Sequence, residues 1–251
     1  MDGIRSSEKL LLIDGDIVAY RCAASAWDWK TGQKLAPLKV ALYRIEDMLD
    51  GIFRAHGCDR YKMFLSDSKN FRNDIYPDYK ANRIGLARPP YLNDCKNYLV
   101  GRLFATVCDN AEADDYLGIE QCARNNTVIC SIDKDLLQIP GSHYNFVKEI
   151  KTQVTPMGGL RHFFKQLLIG DTADNVVGIR GIGEKKAANL IDPLDSFEEM
   201  LDCVRAVYKD DTRLLMNCDV LWIQQKPKEM FTDRFRKELN EQGFEETYLD
   251  L

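Results

Sequence analysis

Along the first 150 positions the spacing of apolar residues switches repeatedly between two periods. Lys9-Leu-Leu-Leu-Ile13, Arg60-Tyr-Lys-Met-Phe-Leu-Ser66, Leu103-Phe-Ala-Thr-Val107 and Thr127-Val-Ile-Cys-Ser-Ile132 are short continuous apolar runs, the pattern of strands buried on both faces. Between them the spacing becomes helical. Lys39 to His56 carries Val40, Ile45, Met48, Leu49, Ile52 and Phe53 on one stripe that stops at Gly57, and helices are also expected from Ile17, over Tyr91–Val100 and from Ala111. Such alternation predicts an α/β fold: a central, mostly parallel twisted sheet with helices on both faces, joined by right-handed crossovers. From Gly158 onward the pattern is helical, over Leu160–Ile169, Phe197–Tyr208 and Leu214–Ile223. The expected division is an α/β core over 1–157, interrupted by an irregular segment at about 70–102, followed by a helical part over 158–251.

The residues just past the strands carry the chemistry. The first strand runs into Asp14-Gly-Asp16, the second into Asp67, the fourth into Asp133-Lys-Asp135, and the helix after the third opens with Glu112-Ala-Asp114-Asp115. In an open parallel sheet, sites lie outside the carboxyl ends of the strands, so acids far apart in sequence are expected on one edge. For any single aspartate, a helix cap or a solvated surface is the ordinary role, and Asp16 is expected either as a partner behind the ligand acids or as the cap of the helix from Ile17. Taken together with Asp171 and Asp174, the strand-end acids amount to nine carboxylates: Asp14, Asp67, Glu112, Asp114, Asp115, Asp133, Asp135, Asp171 and Asp174. Unneutralised, they would repel one another and take up protons. Oxygen-only donors select hard cations, Mg²⁺ or Mn²⁺, and the set exceeds what one octahedral ion uses, so two ions are expected. Two such ions, roughly 4 Å apart, can generate hydroxide and clamp a phosphodiester for in-line displacement.

The stretch from Gly170 to Ile191 joins Asp171 and Asp174 to Gly178, Gly181 and Gly183 and then to a helix with Lys185 and Lys186. No Walker loop is formed, because Gly183 is followed by Glu184-Lys185-Lys186, and no Gly-x-Gly-x-x-Gly is completed. A helix-hairpin-helix over about 160–192 is expected instead, its glycines allowing close backbone approach and its second helix offering N–H groups to an anion. Between Phe71 and Arg83 the rings of Tyr76 and Tyr79 interleave with Arg72, Lys80 and Arg83, and Pro77 and Pro89-Pro90 interrupt any long helix. That mixture suits a wall over a nucleic-acid strand, against the commoner case of a solvated loop with its aromatics folded onto the body.

Composition narrows the picture without changing it. The 251 residues carry a net charge of −5 and are 45% hydrophobic, ample for a buried core. Bound cations would offset the carboxylates, so an acidic total does not exclude nucleic acid. The eight cysteines form no Cys-x-x-Cys pair and only three histidines are scattered among them, which argues against structural zinc and for buried free thiols in a reducing cytoplasm. The opening residues lack the apolar run of a signal peptide, and no 18-residue apolar segment could span a membrane.

On these residues the chain resembles the 5′ nuclease family: flap endonucleases, bacteriophage 5′-3′ exonucleases and the N-terminal nuclease domains of bacterial DNA polymerase I. The resemblance rests on Ile13-Asp14-Gly, Asp67 followed by Phe71-Arg72 and Tyr79-Lys80-Ala-Asn-Arg83, Glu112-Ala-Asp-Asp115, Asp133-Lys-Asp135 and Gly170-Asp-x-x-Asp-Asn175 with its hairpin. It implies that Asp14, Asp67, Glu112, Asp114 and Asp115 serve one metal group and Asp133, Asp135, Asp171 and Asp174 the other. It further implies a helical arch at about 70–102, with Lys80 and Arg83 at its foot on the scissile phosphate, Arg72 on nucleic acid and Tyr79 stacked on a base. The hairpin, through Gly178, Arg180, Gly181, Gly183, Lys185 and Lys186, would grip duplex, with a K⁺ ion bound there. Two departures from the family are Val177 and Arg180, where members often carry prolines. The resemblance thus implies a monomeric, structure-specific nuclease acting by two metal ions on DNA with a 5′ end, flap or junction, or on an RNA–DNA hybrid, in a bacterial or phage-infected cytoplasm. The alternatives are a catalytically silent DNA-binding module and a ribonuclease on the same scaffold.

Overall fold

The computed structural model describes residues 8–244. The opening residues, which lack the apolar run of a signal peptide, and the tail Glu245–Leu251, whose sequence would suit a docking segment, lie outside them.

In chain order the first elements are β1 (Leu10–Asp14), α1 (Gly15–Ala24), α2 (Leu38–His56), β2 (Tyr61–Leu65), α3 (Arg72–Ile75), α4 (Leu92–Leu103), β3 (Thr106–Val107) and α5 (Ala113–Ala123). β4 (Thr127–Cys130), β5 (Gly141–Asn145), β6 (Ile150–Val154), α6 (Pro156–Ile169), β7 (Gly170–Asp171) and β8 (Val176–Val177) come next. The rest is helical: α7 (Glu184–Ile191), α8 (Phe197–Tyr208), α9 (Asp211–Leu221), α10 (Phe231–Arg234) and α11 (Arg236–Glu241). Short 3-10 turns occupy Ala81–Arg83 and Asp135–Gln138. None of the described helices is long and apolar enough to cross a membrane.

The elements group into two compact units. The first comprises the chain to Lys69, Leu86–Lys134 and Gly141–Gln153; the second comprises Asn70–Gly85, Asp135–Pro140 and the chain from Val154. In the first, the sheet has the order β3-β2-β1-β4-β5-β6, and β1 pairs in parallel with both β2 and β4. β2 with β3 and β4 with β5 are parallel as well. Leu11, Ile13, Met63, Leu65 and Cys130 of the strands pack with Val18, Cys22, Ile45, Leu49 and Leu99 of the helices. Two-sided burial is why the strands read as unbroken apolar runs. α2 ends as its sequence demands, with Gly57 at φ 57° closing the helix.

The third strand is shorter than expected. α4 runs on to Leu103, Phe104 turns the chain at φ 54°, and only Thr106 and Val107 pair with β2. An apolar run of five residues cannot by itself tell the end of a helix from a strand.

In the second unit, α6 is started by Thr155, whose side chain accepts from the Gly158 N–H, with Pro156 in the first turn. Ser196 and Asp210 cap α8 and α9 in the same way. Phe163, Phe164, Phe197, Trp222 and Phe231 form its core, with ring centroids 5.1 Å apart for Phe163 against both Trp222 and Phe231. Each such buried ring contributes about 2–3 kcal/mol. All eight cysteines are free; Cys122 is exposed, whereas Cys22, Cys95, Cys108, Cys130 and Cys218 are buried as expected.

Candidate carboxylate edge

The strand order places β1 between β2 and β4, so the chain reverses direction across the sheet at the β1–β4 boundary, where open α/β sheets present their sites. Asp14 is the last residue of β1 and is buried. Its Oδ1 accepts from the Ile17 N–H at 3.0 Å, which makes Asp14, not Asp16, the cap of α1. The reason is register: the helix begins at Gly15, so the capping position falls on Asp14. Gly15 is needed here because a Cβ would lie 2.6 Å from the Phe64 carbonyl oxygen. The other oxygen, Oδ2, accepts from Ser131 Oγ at 2.7 Å, and that hydroxyl in turn accepts from the Asp133 N–H at 3.0 Å. Burial, with Asp16 and Asp133 adding like charge, raises the Asp14 carboxyl to about 7 despite these bonds.

Asp67 lies two residues past β2, on a turn stitched to the start of α5. Its N–H donates to the Ala111 carbonyl at 3.1 Å, and its carboxylate accepts from the Asn110 and Ser68 N–H groups, which lower its pKa. Glu112 and Asp115 close a reciprocal capping box at the head of α5, with Asp115 fully buried. Behind these acids lies the buried Cys108 thiol, whose pKa is pushed up by burial and by the surrounding Asp115, Asp16, Asp114 and Asp67. The first unit therefore gathers Asp14, Asp67, Asp114, Asp115 and Asp133 at the carboxyl edge of its sheet, with Glu112 beside them.

The second unit carries Asp135, at the head of a 3-10 turn, and the loop acids Asp171 and Asp174. Asp171 Oδ1 accepts from the Ala173 and Asp174 N–H groups at 2.7 and 3.2 Å. Asp174 is engaged from the other side of its own unit: Tyr79 Oη donates to it at 2.8 Å, Lys80 Nζ lies at 3.5 Å, and Arg83 pairs with its Oδ1. The loop itself is held by glycine. A Cβ on Gly170, at φ 76°, would fall 2.2 Å from the Gly178 nitrogen, and one on Gly178 would fall 2.3 Å from the Gly170 nitrogen. The main chain at Gly170 and Gly178 thus comes too close for a side chain at either position, beside the pairing of β7 with β8, and α6 and α7 pack together around the turn. Arg180, Gly181, Gly183, Lys185 and Lys186 are exposed, with Lys186 Nζ donating to the Gly181 carbonyl at 2.8 Å.

Two residues expected on nucleic acid are placed otherwise. Arg72 is 2% exposed, and its guanidinium donates to the Val220 and Trp222 carbonyls at 2.8 Å each, tying α3 to the end of α9. Tyr79 is 4% exposed and packs in the core of the second unit, so its ring has no open face for a base. Both corrections have one cause: a ring or a cation in an irregular segment gains more from an apolar core and orphan carbonyls than from solvent. In the other direction, sequence reasoning missed Ser66, Ser131 and Lys96. A hydroxyl beside each strand-end aspartate was a usable signal for the two serines; Lys96, on the face of a helix, gave none.

Among the described residues, no three His, Cys, Asp or Glu side chains are drawn together closely enough to hold a metal ion as they stand. Like charges repel, and Asp14, Asp67, Asp171 and Asp174 take backbone N–H, hydroxyl or cationic partners instead. The donors nonetheless suit a hard cation. They are all oxygens, and Asp14, Asp67 and Asp171 are already held in place by hydroxyl or main-chain donors.

A parallel sheet whose carboxyl edge presents aspartates is a frame on which oxygen-donor cation sites are built, and the comparisons with known proteins say which one this chain shares. A family model for the 5′-3′ exonuclease N-terminal resolvase-like domain matches residues 9–163, more than half of the chain. The chain is 31% identical over 210 residues to a 5′-3′ exonuclease of Mycoplasma pneumoniae, covering 72% of this chain and 70% of that protein. It is 32% identical over 172 residues to DNA polymerase I of Borreliella burgdorferi, of which it spans only 19%. Among solved structures, the T5 D15 protein co-crystallised with metal ions superposes with a TM-score of 0.64 over 97% of this chain and 96% of that one, at 16% identity. The chain belongs to the 5′-3′ exonuclease family.

Proposed function

We propose that the chain is a structure-specific 5′ nuclease that hydrolyses phosphodiester bonds at 5′ ends or 5′ flaps of DNA. What supports this reading most is the gathering of Asp14, Asp67, Asp114 and Asp115 on one sheet edge in a member of this family. In this reading Asp14, Asp67, Glu112, Asp114 and Asp115 hold one divalent ion, Mg²⁺ or Mn²⁺, and Asp133, Asp135, Asp171 and Asp174 hold a second. Bound there, such ions supply hydroxide at neutral pH and stabilise the charge of the leaving oxygen.

The protein's own contribution is positional and electrostatic. Ser131 fixes one oxygen of Asp14, and the Asn110 and Ser68 amides fix Asp67, so neither acid has to be ordered when substrate arrives. Lys80 and Arg83, which pair with Asp174, exchange that carboxylate for the scissile phosphate. The exposed Lys185 and Lys186 on α7, with Arg180, hold duplex phosphates without reading sequence. A K⁺ ion at the glycine turn and activity on an RNA–DNA hybrid belong to the same reading.

The test is cleavage of a 5′-flap duplex and an RNA-primed duplex, each labelled at either end, with Mg²⁺, with EDTA and with Asp67→Asn. Metal-dependent cutting near the junction that is lost in the variant is expected. Tight, structure-selective binding without cleavage in Mg²⁺ or Mn²⁺ would sink the proposal in favour of a silent binding module.

A further inference from the structure

Asp16 stands among the edge carboxylates yet is not one of the acids assigned to a metal. It does not cap α1 either, since Asp14 does so. Its Oδ2 accepts from the Ser66 N–H at 2.7 Å, and its Oδ1 meets Lys96 Nζ of α4 at 2.5 Å. Ser66 immediately precedes Asp67, and its hydroxyl accepts from the Ala113 N–H at 3.0 Å, the first amide of α5. One carboxylate thereby links α1, the exit of β2 and α4, and reaches the head of α5 through a single serine.

A further acid in this neighbourhood only adds repulsion unless something compensates it. Lys96 does so and at the same time orients the group, leaving one oxygen for Ser66. The side chain is 26% exposed, which is less than an acid at a helix start needs if it serves only the dipole and solvent.

We propose that Asp16, held by Lys96, is a positioning residue for the metal edge: through the Ser66 main chain it sets Asp67 and the α5 acids in register with Asp14. The proposal rests on the reading of that edge as a divalent-ion site. Its effect falls on ion affinity and turnover, because Asp16 acts through Ser66 and has no part in gripping the DNA.

Calorimetric titration of Mn²⁺ into the full chain and three variants, with flap-cleavage kinetics beside it, tests this. Asp16→Ala is expected to weaken Mn²⁺ binding about ten-fold, as loss of a ligand-orienting partner commonly does, and to lower kcat with KM for the flap unchanged. Asp16→Asn keeps an oxygen for the Ser66 amide but turns an NH2 donor towards the Lys96 ammonium, and is expected to fall between wild type and Asp16→Ala in Mn²⁺ affinity. Lys96→Met, on the surface of α4, leaves the core untouched and is expected to weaken binding as well; tighter binding would make Asp16 a bare attracting charge and overturn the proposal. Asp16→Ala binding Mn²⁺ like wild type, whatever its melting temperature, would overturn it too, as would Asp16→Asn as weak as Asp16→Ala. A wild-type chain that binds no Mn²⁺ would instead remove the metal edge itself, and this proposal with it.

Discussion

Replacing Arg72 separates a folding role from a nucleic-acid role. The guanidinium is buried and gives charged hydrogen bonds to the carbonyls of Val220 and Trp222, at the point where α9 ends. Those carbonyls lie at a helix terminus, where intrahelical partners run out. Charge-assisted bonds contribute about 1.5–3 kcal/mol each, and an orphaned buried carbonyl costs about 1–3 kcal/mol. Two such bonds lost together, partly offset by relief of the buried charge, give a destabilisation of about 3–5 kcal/mol for Arg72→Met. In a chain of this size that lowers Tm by roughly 10 °C. Urea unfolding followed by far-UV circular dichroism, paired with flap-duplex binding below the transition, reads both quantities. A variant within about 1 kcal/mol of wild type that has lost DNA affinity would refute the argument and return Arg72 to the nucleic-acid surface.

Two further predictions concern stability. Burial, with Lys151 and Lys9 nearby, lowers the His56 pKa from 6.5 to about 4, so the folded chain keeps it neutral where the unfolded chain takes a proton. Its contribution is whole above pH 6.5 and declines as pH falls towards 4, by about 1–2 kcal/mol once solvent screening of this half-buried ring is allowed for, so the drop in urea midpoint over that window should be blunted in His56→Gln; an unchanged acid profile would refute it. Gly178→Ala would put a methyl 2.3 Å from the Ile169 carbonyl carbon and the Gly170 nitrogen, and should cost about 2 kcal/mol or more while weakening duplex binding. Wild-type stability and duplex affinity in that variant would mean the glycine turn opens freely.

Most of the α/β core could be read along the chain because its cause is local. A strand covered on both faces has to be apolar throughout, an amphipathic helix repeats at its own period, and parallel strands leave their C-terminal residues on one edge. Asp14, Asp67 and Asp133 could therefore be placed at the carboxyl ends of their strands from the chain alone. A close main-chain approach at Gly178 was likewise legible, whereas its partner Gly170 emerged from the fold, where a Cβ on either would fall 2.2 or 2.3 Å from the other's nitrogen.

Tertiary structure decided what each polar side chain does with its hydrogen bonds. Arg72 turned inward because the carbonyls it satisfies belong to residues 148 and 150 positions away. Tyr79 was drawn into the core of its unit, with its hydroxyl on Asp174, 95 positions on. Asp16 found Lys96 and Ser66 in place of the cap its position suggested. Periodicity is written in the spacing of neighbours and survives in one dimension. The partner of a buried charge is whichever donor or acceptor the packed chain brings within about 3 Å, and nothing in the local pattern records it.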